Sequence, residues 1–181
     1  MATLSIELPP HAQQVDCNLR RWAELMADPE LTRFEGRIET DRHGHVLMSP
    51  PPAPNHGALQ SEIAYHLRSL SSEGRVITEC PVSTSDGVKA ADVAWASPAC
   101  VAELADGVCF PRAPEICVEV LSPRNTAAEM LEKKALYFDA GAREVWFCAD
   151  SGSMRFYLAG SGAEAPGSAL FPTFPGRIHP R

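Results

Sequence analysis

Three short runs, residues 90–96, 115–121 and 144–149, are apolar at odd and even positions alike. Strand side chains alternate between the two faces of a sheet, so a strand that is apolar on both must be covered on both. These runs therefore predict interior strands, each bounded by Gly, Pro or Ser. Between the second and third lies a helical pattern over about 126–140, closed by Gly141, where a residue free to take positive φ is favoured. A further strand is expected at 75–79, and another at 154–158 after the turn Asp150-Ser151-Gly152-Ser153. Interior strands interleaved with helices imply an α/β domain with a central mixed sheet.

Upstream, residues 16–28 put Leu19, Trp22, Ala23, Met26 and Ala27 on one helical stripe that Pro29 stops. Residues 37–40 and 45–48 read as a hairpin around a Gly44-containing turn. The proline-rich stretch 49–54 lacks too many N–H donors to sit in a sheet and is expected to be an extended connector. Asn55 is placed to cap the next helix, along which Leu59, Ile63, Leu67 and Leu70 recur, with His56 at the N-terminal end of the stripe. The Gly/Ala/Ser-rich stretch 159–169 reads as a loop and 169–175 as an apolar segment that packs back. With no repeat and no boundary, residues 1–181 form one domain: a core over about 37–158, an N-terminal helical extension 1–36, and the loop and packing segment 159–181. The chain's 181 residues are one domain's worth.

A net charge of −7 excludes a surface coated with phosphate contacts. An aromatic content of 7% argues against a stacking platform for single strands. No apolar run is long enough to span a bilayer and the N-terminus lacks a signal-peptide pattern, so no membrane association is expected. Six cysteines with no C-x-x-C pair, Cys117 and Cys148 among them inside apolar runs, favour reduced, structural thiols in a cytoplasmic protein over a zinc site. Dinucleotide, P-loop, serine-hydrolase and zinc-protease signatures are missing.

What remains is acids in costly places. Asp92 interrupts the run 90–96 and Glu119 the run 115–121, and a buried carboxylate must be paired, hydrogen-bonded or bound to metal. Converging from adjacent strands, the two could hold a hard cation and serve phosphodiester hydrolysis. Equally, each could sit at a strand end beside an Arg or a backbone amide, since the sequence leaves open whether the strands are neighbours.

Several pieces in order resemble the Uma2 family, nucleases of the restriction-endonuclease-like PD-(D/E)XK superfamily. They are Met48-Ser49-Pro50 with His56 downstream; Ala91-Asp92-Val93; the stretch from Pro114 through Glu119 to Pro123; Glu132-Lys133 with Tyr137 and Ala140-Gly141; and Glu144-Val145-Trp146. The closing residues 170–175 are similar as well. The resemblance implies an αβββαβ core and a Mg²⁺- or Mn²⁺-dependent endonuclease acting on nucleic acid, DNA first. It puts Asp92 at the acid of the PD half and Glu119 at the acid of the (D/E)XK half. Ala91 replaces the proline of PD, which supplies no ligand. Leu121 stands where the superfamily lysine would be, and the K-x-x-x-Y-x-x-A-G register moves that lysine to Lys133.

Lys133 would orient or deprotonate water and stabilise the pentacovalent charge. A helical wheel drawn through Ala127, Leu131, Leu136 and Phe138 favours Lys134 instead, as nearer the apolar stripe. Glu39 would add a metal ligand or hold a water; the alternative is a solvated strand acid. His56 would act on phosphate or support a ligand; the alternative is a structural histidine. Tyr137 is expected in the core with its hydroxyl bonded into the site. The catalytic set is thus Asp92, Glu119, Lys133, Glu39 and His56, with Asp92, Glu119 and Glu39 on the metal. A homodimer is compatible with cutting two strands. Any DNA contact must come from a local basic patch, for which Arg112, Arg124, Lys133, Lys134 and Arg143 are the candidates. The competing reading, motivated by the displaced lysine, is a catalytically inactive nuclease fold used for binding or dimerisation.

Overall fold

Each two-sided apolar run forms an interior strand. The computed structural model describes residues 9–104, 107–123 and 125–180, with Thr32 described by its backbone alone. In chain order the elements are α1 (His11–Met26), a 3₁₀ turn (Leu31–Arg33), β1 (Arg37–Thr40), β2 (Val46–Ser49), α2 (Pro54–Leu70), β3 (Arg75–Thr84), β4 (Gly87–Ala96), α3 (Pro98–Leu104), β5 (Ile116–Val120), α4 (Ala127–Asp139), β6 (Glu144–Cys148), β7 (Met154–Leu158) and β8 (Glu164–Ala165). Strands β3 to β8 form one sheet in sequence order, and β1 pairs with β2 in a separate hairpin. All neighbours in the large sheet run antiparallel except β5 and β6, whose parallel pairing is what the α4 crossover permits.

Helices cover both faces, as the composition of β4, β5 and β6 requires. On one face Leu59, Ile63 and Leu67 of α2 are fully buried with Val93, Ile116, Val118 and Trp146. On the other, Met130 and Tyr137 of α4 pack on Cys80, Ala94, Cys117 and Val145. Each aliphatic side chain so buried contributes roughly 1.5–3 kcal/mol. A third cluster joins Trp22 and Leu25 of α1 to Val88 and Cys109, so the N-terminal helix is a lid over the β3–β4 hairpin.

Local sequence decides where α4 begins. Thr126 and Glu129 form a capping box, the hydroxyl accepting from Glu129 N–H at 3.2 Å and the carboxylate from Thr126 N–H at 2.7 Å. Helix α2 differs from expectation: Ala53 is its N-cap and Pro54 its first residue, where a missing N–H costs nothing. The Asn55 amide instead donates to the Asp150 carboxylate at 2.7 Å.

The β1–β2 hairpin docks on β4. Thr40 Oγ1 accepts from Val88 N–H at 2.9 Å and Lys89 Nζ donates to the Thr40 carbonyl at 3.0 Å. The approach is close enough that a Cβ on Gly87 (φ +83°) would strike the Thr40 and Asp41 carbonyls. This contact carries β1 residues Arg37 and Glu39 to the middle of the large sheet.

Candidate active site

The sheet opens at Asp92. The β4–β5 ladder ends at Val93–Val118, so Asp92 and Glu119 are its next step. There Asp92 Oδ2 accepts the Val120 N–H at 2.6 Å, a side chain standing in for a ladder carbonyl. The neighbouring β3–β4 ladder pairs Thr78 with Val93 and Cys80 with Ala91 but skips Glu79, whose φ of +50° kinks β3 opposite Asp92. Two strands have thus been parted around one buried carboxylate.

Three elements supply its partners. Arg37 from β1 donates through Nη2 to Asp92 Oδ1, and its Nη1 lies 3.9 Å from Glu119 Oε2. The same guanidinium grips Glu79 through both carboxylate oxygens at 3.0 Å each. From α2, His56 Nε2 lies 3.1 Å from Asp92 Oδ1; a carboxylate only accepts, so that nitrogen carries the proton. Gln60 donates to the Asp92 carbonyl at 2.7 Å and to Glu79 Oε1 at 2.9 Å. Burial opposes the Asp92 charge, but His56 and Arg37 outweigh it and hold the carboxyl below its usual range. The hydrogen bond to Asp92 in turn raises His56.

Glu119 is served from the helix side. Lys133 Nζ lies 3.2 Å from both of its oxygens and 3.1 Å from Glu39 Oε1, and Tyr137 O–H donates to Glu119 Oε1 at 2.6 Å. Glu39 also accepts the Ala90 N–H at 3.0 Å. Burial pushes the Glu119 carboxyl up to about 7; the Asp92 charge adds to the rise, and Lys133 and Arg37 oppose it. Burial works against the Lys133 charge as well, yet Glu119 and Glu39 outweigh it and raise that amine, so it is an ammonium at neutral pH. A permanently protonated lysine can orient water and stabilise developing negative charge, but cannot take a proton.

Asp92, Glu119, Lys133, Glu39 and His56 therefore line one cavity of about 650 Å³, with Arg37 in its wall. The alternative of arginine and amide partners also holds for Asp92, which has both. Glu39 faces Lys133, which separates it from Glu119 by an ammonium. Lys134 points elsewhere, 4.1 Å above the Tyr157 ring. The helical wheel is corrected accordingly: Leu131 is exposed, and the inward stripe runs Met130, Lys133, Tyr137, Ala140 at helical spacing.

Arg37, Glu79 and Gln60 are the site residues that sequence reasoning missed. Arg37 and Glu39 are two apart on a strand, which puts them on one face, and that was the available signal. Of the proposed basic patch, Arg112 is spent on Glu103 at 2.6 and 2.9 Å, Arg143 is exposed, and Arg124 lies outside the described residues.

Among the described residues no three His, Cys, Asp or Glu side chains gather as a metal cluster. Two carboxylates are nevertheless what Mg²⁺ commonly takes from a protein, waters and phosphate oxygens completing the octahedron. Asp92 and Glu119 share a single cationic partner in Arg37 and fit that donor chemistry.

Comparison with known proteins agrees with this architecture. The sequence model of the Uma2 family, described as "Putative restriction endonuclease", matches residues 22–167. The fold is similar to that of a solved protein from Anabaena variabilis ATCC 29413, described as "a putative nuclease belonging to DUF820". The TM-score is 0.64 at 19% identity, over 76% of this chain and 85% of that one. No curated protein matches. Among the described residues no helix is long and apolar enough to cross a membrane.

Proposed function

The chain belongs to the Uma2 family, and on that premise we propose that it is a divalent-cation-dependent endonuclease that hydrolyses phosphodiester bonds, with DNA as its substrate. One observation carries the reading: Asp92 and Glu119 reach the same cationic group from the point where the sheet opens, with a lysine on the second of them. Asp92 and Glu119 would hold Mg²⁺ or Mn²⁺, which when bound polarises the phosphate and lowers the pKa of the attacking water. The residues around them do the rest. The Lys133 ammonium faces the cavity and stabilises the charge that builds on the phosphoryl oxygens. Glu39 and Tyr137 fix that ammonium and the Glu119 carboxylate in position. His56 orients Asp92.

The test is cleavage of plasmid and of single-stranded DNA under Mg²⁺ or Mn²⁺ by the native protein, Asp92→Asn, Lys133→Met and Lys134→Met. The first two variants are expected to lose activity by about 10² or more, the scale of removing a group that stabilises transition-state charge. Lys134→Met, whose amine lies over the Tyr157 ring and outside the lining of the cleft, keeps it. Equal activity in native and Asp92→Asn protein, or none in any, refutes the reading.

A second reading, a nuclease fold retained as a binding module, draws on the ion pairing itself: Arg37 and Lys133 already neutralise the two carboxylates. Absence of divalent-cation binding by the native protein would favour it.

A further inference from the structure

Arg37 reaches the carboxylate pair from outside the main sheet. It projects from the β1–β2 hairpin, and its side chain is largely buried against β3, β4 and β5. One guanidinium meets Asp92 and Glu119 together while a third carboxylate, Glu79, holds it by the fork. The fork gives Glu79 a two-point hold on Arg37 at the half-exposed edge of the site, while the buried Asp92 and Glu119 are bridged by its other contacts.

Glu79 is itself built for this. A glutamate at φ +50° inside a strand costs of order 1–2 kcal/mol and persists only where the surroundings enforce it. Its pairing with Asp92 is given up, and Gln60 bonds both the Glu79 carboxylate and the Asp92 carbonyl, so Glu79 is held without help from Arg37. Beyond Arg37 lies a second cavity of about 820 Å³, whose wall includes both Arg37 and Glu79. The guanidinium thus has an anchored partner and open space on the side away from the carboxylate pair.

We propose that Arg37 is the resident counterion of Asp92 and Glu119, occupying the position a divalent cation takes, and that Glu79 is a positioning residue that retains Arg37 when the cation displaces it. The inference rests on the cation-dependent reading of the site and adds an exchange: cation in, guanidinium out towards Glu79 and the second cavity. The carboxylates are then never left buried and uncompensated, a state that costs several kcal/mol. Asp92 and Glu119 are neutralised by one partner or the other throughout.

The experiment is calorimetric titration with Mn²⁺ alone, without nucleic acid, of the native protein, Arg37→Met, Lys133→Met, Glu79→Gln and the Arg37→Met/Glu79→Gln double variant. Thermal midpoints are taken in chelator and in Mn²⁺. Arg37→Met is expected to bind Mn²⁺ about tenfold tighter than native, its midpoint falling in chelator and recovering in Mn²⁺. Lys133→Met removes an equal charge beside Glu119 but should shift affinity by less than about threefold. Glu79→Gln should weaken binding about threefold in the native background and leave the Arg37→Met background unchanged, the coupling expected of a residue acting through Arg37.

Equal tightening by Arg37→Met and Lys133→Met would reduce the effect to net charge and overturn the proposal. So would an equal Glu79→Gln effect in both backgrounds, or native affinity matching Arg37→Met. If no protein binds Mn²⁺, the cation-dependent reading itself fails, a different outcome from native binding that Arg37→Met does not improve. Should Arg37→Met not fold, Arg37→Lys keeps the charge without the fork; tighter binding than native supports the exchange, and unchanged binding overturns it.

Discussion

Burial keeps the Glu119 carboxyl protonated well past the ordinary carboxylate range. Its folded pKa, about 7, lies above the ordinary carboxylate value of about 4.3, so the folded chain holds a proton that the unfolded chain releases. Stability from this group is therefore full below pH 4.3 and is lost as pH rises towards 7. Glu119→Gln keeps the oxygen that accepts from Tyr137 and removes the titration. Urea unfolding across pH 4–8 should show the native protein losing up to about 3 kcal/mol relative to the variant, with the change complete near pH 7. A pH-independent difference would refute the assignment. The identity of this residue was readable from an acid in an apolar run, but its distinction from other buried acids was not. Glu144 is as buried, yet the Ala169 and Leu170 amides and the Trp146 indole satisfy it, with no ion pair among the described residues. Which acid meets an arginine depends here on Arg37 of a separate hairpin, 55 positions from Asp92 and further still from Glu119, and local pattern does not carry that.

At the scale of elements, the site depends on how the β1–β2 hairpin is seated. Gly87 turns β3 into β4 at φ +83°, and its missing Cβ lets the Thr40 and Asp41 carbonyls approach. Gly87→Ala meets both a disfavoured backbone and a steric block, and should lower the unfolding free energy by more than about 1 kcal/mol. Because the same hairpin carries Arg37 and Glu39, nuclease activity should fall further than stability alone explains, which cleavage assays well below the unfolding midpoint would show. A fully active variant would mean the hairpin does not position the site. The hairpin, α2, α4 and the strand cores were legible because their apolar spacing is local. Strands β3 and β4 run further than their apolar runs because Ser83, Thr84, Ser85 and Lys89 are buried under α1 and the hairpin, a tertiary covering that polar residues do not announce. Helix α1 begins five residues earlier than its stripe, at a Pro10 N-cap with no side-chain signal. Helix α3 and the two-residue β8 are too short for periodicity to reveal.

For the whole molecule, the charge of −7 sets how it can meet a polyanion. Affinity gained by releasing counterions from DNA falls with salt at a slope of about −0.9 per phosphate neutralised. Here the cleft cations Arg37 and Lys133 are spent on carboxylates, Arg112 on Glu103 and Arg155 on Glu164. With the cleft cations so committed and the chain net negative, binding on the proposed reading centres on the divalent cation, whose charge reverses the field of Asp92 and Glu119. Anisotropy titrations of a non-cleavable phosphorothioate duplex at fixed Mg²⁺ should give a log–log salt slope of magnitude about 1–3, against about 6–9 for a protein with a basic coat. Without divalent cation, the carboxylates lining the cleft, Glu39, Asp92 and Glu119 among them, should leave affinity too weak to measure at the same salt. A steep slope, or binding indifferent to Mg²⁺, would place the nucleic-acid surface away from Asp92 and would separate DNA binding from the site where the sheet opens.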